Sequence, residues 1–155
     1  MPDFKHSSVD ALPTRHVCQH EGYEYTRKAF IRKSESKESI VNIYEIPPKK
    51  SAFPYHYHHK NEETFFILSG KGILRTPEGE REVKAGDLLF FPATPEGAHK
   101  LTNSSDTELL VYIDFDTCHE IDVTVYPDSD KIAIWGKDCN CVFRNNDQVD
   151  YYDGE

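Results

Sequence analysis

The chain has little that would tie it to a membrane or to nucleic acid. Its 155 residues contain no apolar run of 18 residues, so nothing reads as a transmembrane helix. The opening Met-Pro-Asp-Phe-Lys-His carries no apolar signal segment, and the expectation is a soluble, cytoplasmic protein. Basic residues are scarce: 18 Lys and Arg stand against 27 Asp and Glu, for a formal charge of −9. No basic cluster is dense enough to neutralise phosphates, and no segment reads as a helix-turn-helix, so a nucleic-acid partner is excluded. No ten-residue stretch has helical apolar spacing either, which argues against a helical bundle.

Cysteine is sparse. Cys18, Cys118, Cys139 and Cys141 form no C-x-x-C pair, and without an export signal the thiols are expected to stay reduced. His16, Cys18 and His20 alternate and would share one face of a strand. A second metal site built from them with Cys139 and Cys141 is the weaker reading, and small side chains in partly buried strands is the favoured one.

What is present suits strands. Nine Tyr and nine Phe accompany nine Pro and eight Gly, and short alternating runs recur with turns between them. The predicted strands are Tyr23 to Ile31, Ser39 to Ile46, Thr64 to Leu68, Lys71 to Thr76, Glu80 to Val83, Leu88 to Phe91 and Leu109 to Phe115. Gly97 to Thr102 is a further extended piece carrying His99, and Ile121 to Tyr126, Lys131 to Trp135 and Val142 to Arg144 follow near the end. Leu88 to Phe91 is apolar throughout, as expected of a strand buried on both faces. The length suits one domain, with residues 1–20 as an N-terminal arm, 21–116 as the core, and 117–155 as an extension on the barrel or on a dimer edge.

The chemistry gathers in residues 54–72. On a strand, His56 and His58 point to one face with Cα atoms roughly 6.5–7 Å apart, so both imidazoles can lean onto one ion. A polar turn then leads to Glu62 and Glu63 and to the apolar run Thr64 to Leu68, read as the return strand of a hairpin. One step along a strand reverses the face, so Glu62 and Glu63 compete for the same role. Two nitrogen donors and an anionic oxygen make the beginning of a transition-metal site.

A second stretch, Gly86 to Asn103, completes a pattern. Together the two resemble the paired motifs of the cupin superfamily, G-x5-H-x-H-x3/4-E-x6-G and G-x5-P-x-G-x2-H-x3-N. His56, His58, Glu63 and Gly70 match the first; Gly86, Pro92, His99 and Asn103 match the second. The first motif's opening glycine is replaced by Lys50, and the turn from Pro92 to His99 is longer than usual for the family. The resemblance implies an all-β double-stranded β-helix, or jelly-roll barrel, and selects Glu63 over Glu62. It implies one divalent metal ion (Mn, Fe(II), Zn or Ni) held by His56, His58, Glu63 and His99. It also implies a homodimer and a small-molecule ligand or substrate, polar or carbohydrate-like. On an octahedral ion, four protein ligands leave two positions open, which suits a metal-dependent isomerase, lyase or dioxygenase. On zinc the same four can close the shell, giving a structural site or a non-catalytic binding module.

Overall fold

A computed structural model of the chain describes residues 4–155. Among these residues thirteen strands form three antiparallel sheets, with three short 3-10 turns between them. The largest sheet has six strands in the order β1 (Thr14–His20), β2 (Tyr23–Ile31), β3 (Ser39–Ile46), β10 (Leu110–Thr117), β5 (Glu63–Ser69), β8 (Leu88–Phe91). A second sheet runs β13 (Asn140–Arg144), β12 (Lys131–Trp135), β11 (Asp122–Tyr126), β4 (Tyr57–His58). The third runs β7 (Gly79–Lys84), β6 (Lys71–Thr76), β9 (Lys100–Asn103). This is the double-stranded β-helix expected from the sequence.

Period-two alternation builds the core. On β10 the residues Leu110, Tyr112 and Asp114 are buried, while Phe115 on the other face is 45% exposed. Across the register Tyr112 stands beside Tyr44 of β3 and Ile67 of β5, and Leu110 beside Ile46. Ile46, Ile67 and Leu110 are completely shielded from water, each contributing about 1.5–3 kcal/mol relative to an exposed position. Leu74, Leu101 and Phe91 close the same cluster from β6, β9 and β8. Gly70 ends β5 with φ of 82°, and a Cβ there would sit 2.3 Å from the Leu109 carbonyl oxygen, so only glycine fits this turn.

Three expectations need correction. His58 and Glu63 do not belong to one hairpin: β4 pairs with β11, whereas β5 lies between β10 and β8 in the other sheet. The imidazoles and the carboxylate therefore meet across the barrel. The strand Leu88–Phe91 is a sheet edge, with Leu88 at 73% and Phe90 at 59% exposure, because none of the described residues covers its outer face. The expected arm over residues 1–20 is in part a strand, since Thr14–His20 pairs with β2; residues 1–3 lie outside the described residues.

Candidate metal centre

His56 and His99 come from separate segments but are joined directly through the backbone. Each donates its N–H to the other's carbonyl, at 3.1 and 2.9 Å, in an isolated antiparallel bridge. Such a pair puts both side chains on the same face. Their ring centroids are 4.7 Å apart. His58, two residues beyond His56, also points inward, held in register opposite Thr124 of β11. From the facing sheet Glu63 projects between the rings. Its Oε2 lies 3.2 Å from His99 Nε2, 3.7 Å from His58 Nε2 and 3.8 Å from His56 Nε2.

Each ring is oriented by its other nitrogen. His56 Nδ1 donates to the Pro54 carbonyl at 2.7 Å, and His99 Nδ1 to the Gly97 carbonyl at 2.9 Å. A carbonyl only accepts, so the neutral ring carries its proton on Nδ1 and leaves Nε2 bare. His58 Nδ1 donates to Asp122 Oδ2 at 2.5 Å, with Thr124 Oγ1 at 3.1 Å. Asp122 is itself fixed, accepting the backbone N–H of Lys60 at 2.9 Å and of Asn61 at 3.3 Å. Trp135 Nε1 donates to Thr124 Oγ1 at 2.8 Å, extending the chain into β12. Phe91 stacks on His99 with centroids 3.6 Å apart, and Tyr126 lies over His56 at 5.9 Å.

The electrostatics follow from burial. Burial lowers His56 to a pKa of about 4, helped by neighbouring His58, and pushes His99 well below the usual imidazole range. Burial alone would lower His58 as well, but the Asp122 carboxylate, with Glu63 and Asp116, outweighs it and the net shift is upward. Burial raises Glu63 to about 8. Asp122 feels burial too, yet its bonds from His58 and two backbone amides hold it low.

These residues fit a metal ion. The Nε2 of His99 is buried without any hydrogen-bond partner among the described residues, an expensive state for a polar atom. His56, His58 and Glu63 each present a donor within 4.8 Å of the others, and His99 adds its bare nitrogen beside the same oxygen. Ligands about 2.1 Å from one ion stand roughly 3–3.5 Å apart, close to the nitrogen-to-oxygen separations found here. Glu62 is exposed, and its backbone N–H bonds Thr117 Oγ1, so it faces away from the cluster. Asn103 instead ties a turn, donating to the Ile46 and Glu108 carbonyls and accepting from Ser105 N–H.

Among the described residues, neither group with donors close enough to share an ion includes His16, Cys18, His20, Cys139 or Cys141. His16 bonds Glu24, and the sulfurs of Cys139 and Cys141 lie 3.5 Å apart. Sequence reasoning missed Asp122, Asp114 and Asp116. The last two carry a readable signal, two acids at period two in an apolar strand; Asp122 carries none, being 64 residues from His58.

Residues 42–116 match the family model described as the Cupin domain. An uncharacterized protein from Methanocaldococcus jannaschii is 33% identical over 75 residues, 48% of this chain and 57% of that protein. The chain spans about half the length of the curated relatives it matches. Among solved structures, a provisionally named sugar phosphate isomerase from Acidithiobacillus ferrooxidans aligns with a TM-score of 0.80 at 24% identity, covering 92% of this chain and 91% of that one. A sugar phosphate isomerase from a cupin superfamily, from Silicibacter pomeroyi, aligns at 0.82 and 18% identity, covering 96% and 98%.

Proposed function

We propose that this chain, a member of the cupin superfamily through its domain at residues 42–116, binds one divalent metal ion at the histidine cluster and acts there on a small polar, carbohydrate-like metabolite. The observation that carries the metal reading is the orphaned Nε2 of His99 beside Glu63, with His56 and His58 oriented toward the same oxygen. The proposed ligands are His56, His58, Glu63 and His99. When bound, a divalent ion supplies Lewis acidity toward a substrate hydroxyl or carbonyl oxygen.

The remaining work falls to the chain. Pro54, Gly97 and Asp122 hold the three rings in one tautomer, so no reorganisation is needed when the site is loaded. Of the four side chains His58 is the most open, at 16% exposure, so a substrate approaches from its side. Burial pushes the Tyr126 hydroxyl up to about 12, so it stays protonated at neutral pH and available as a donor. A sugar phosphate isomerase reaction is the activity to test first, because two structural relatives bear that description.

A non-catalytic binding module is the second reading. It follows if the ion is zinc, whose shell four protein ligands can close. Metal analysis of purified protein, followed by NMR of a panel of aldose and ketose phosphates, separates the two. Bound Mn or Fe with interconversion supports the enzyme; stoichiometric metal with every sugar unchanged supports the module; absence of metal overturns both.

We propose further that the protein is a cytoplasmic homodimer. Its four cysteines are free thiols, which suits a reducing compartment. The outer face of the six-stranded sheet carries Leu88, Phe90, Leu68 and Phe115, all at least 41% exposed. They share that face across the registers of β5, β8 and β10, an apolar patch of the kind that can mark an interaction site. A second copy of the same face would cover it.

A further inference from the structure

Asp114 and Asp116 stand two positions apart on β10 and face the barrel interior together, Asp116 in register with Glu63 and Asp114 with Phe65. One oxygen from each of the three carboxylates lies within 4.8 Å of the other two. Asp114 is 3% exposed. Among the described residues its Oδ1 has no hydrogen-bond partner, and neither does Oδ1 of Asp116. Among the described residues, no Lys or Arg forms an ion pair with either. Burial raises the pKa of both carboxyls, and for Asp114 the neighbouring Asp116 adds to it. Two neighbouring acids, each with an orphaned oxygen and neither paired with a Lys or Arg, are costly beside the buried Glu63 unless protons or a cation neutralise them.

We propose that Glu63, Asp114 and Asp116 hold a second divalent cation, with Glu63 shared between it and the histidine site. This rests on the reading of His56, His58, Glu63 and His99 as metal ligands. A proton shared between Asp114 and Asp116 satisfies one oxygen of each and leaves both Oδ1 atoms without a partner, whereas a cation takes oxygens from both and from Glu63 together. The donors are all oxygen, which suits a hard ion such as Mn(II) or Mg(II) rather than a thiophilic one. The charge count agrees. With Asp122 held ionised by its hydrogen bonds and the imidazoles neutral, one divalent ion leaves the four carboxylates with an uncompensated negative charge in the barrel, and two ions neutralise them.

The test is titration of metal-free protein with Mn(II), followed by equilibrium dialysis and electron paramagnetic resonance. Two ions should bind per chain, the pair giving an exchange-coupled signal expected of ions about 3.5–4 Å apart. Asp114→Asn/Asp116→Asn should bind one ion and give an isolated six-line spectrum. A single uncoupled ion in the wild-type protein, lost in His99→Ala but kept in Asp114→Asn/Asp116→Asn, would overturn the second site and leave the first standing. No bound ion in the wild type would overturn both. The wild-type stoichiometry decides the matter even if the double variant fails to fold.

Discussion

Replacing Asp122 with Asn should weaken metal binding without unfolding the protein. Asp122 is 1% exposed and accepts three hydrogen bonds, from His58 Nδ1 and from the Lys60 and Asn61 amides. Asn keeps the volume but only one accepting oxygen. If that oxygen serves the two backbone amides, the side-chain NH₂ confronts His58 Nδ1–H and the ring must turn or change tautomer. Partners that orient a metal-bound histidine typically contribute 10- to 100-fold in affinity, about 1.4–2.7 kcal/mol. Asp122→Ala removes every acceptor, and each of the three orphaned donors costs about 1–3 kcal/mol, so a loss of at least about 3 kcal/mol is expected. Chelator competition gives the affinities, and urea unfolding of the metal-free proteins gives the stabilities. A folded Asp122→Asn protein binding metal within twofold of wild type would refute the claim that this carboxylate sets the ring.

Three further outcomes are expected. Gly97→Ala should destabilise the protein by at least about 2 kcal/mol and weaken metal binding: a Cβ there lies 2.0 Å from the Pro92 carbonyl oxygen, and Gly97 is the residue whose carbonyl holds His99; unchanged urea midpoint and affinity would contradict this. Metal uptake near pH 6.5 should release more than one proton, because burial keeps Glu63 protonated below about 8 and His58, shifted upward by Asp122, must also lose a proton to bind. Affinity should therefore rise with pH up to about 8 and level off there, and calorimetry in buffers of different ionisation enthalpy that finds no proton release would sink this assignment. Leu88→Glu/Phe90→Glu should turn a dimer into a monomer in sedimentation equilibrium, since both side chains stand open on the edge of the six-stranded sheet; a wild-type monomer, or a double variant that stays dimeric, would disprove that interface.

Local alternation made much of the fold legible. Tyr23–Ile31, Ser39–Ile46, Lys71–Thr76, Leu88–Phe91 and Lys131–Trp135 are strands with the limits read from sequence, because a two-residue period and flanking turn residues fix them locally. Pairing was less legible. The short spacing from His58 to Glu63 looks like a hairpin, yet β4 has only two residues and finds its partner in β11, far along the chain. The polarity of Leu88–Phe91 misled for a related reason: an apolar run looks the same whether a neighbouring sheet or nothing lies above it. His56, His58, Glu63 and His99 could be named in advance because their spacing carries information. Asp122 could not, because its role depends on a contact with His58 formed only when the barrel closes.

Anomalous diffraction from crystals grown with Mn(II) tests the convergence itself. The account predicts a peak about 2.0–2.3 Å from Nε2 of His56, His58 and His99 and from a Glu63 oxygen. A peak bonded through Nδ1, or one that leaves His99 Nε2 without a partner, would contradict it.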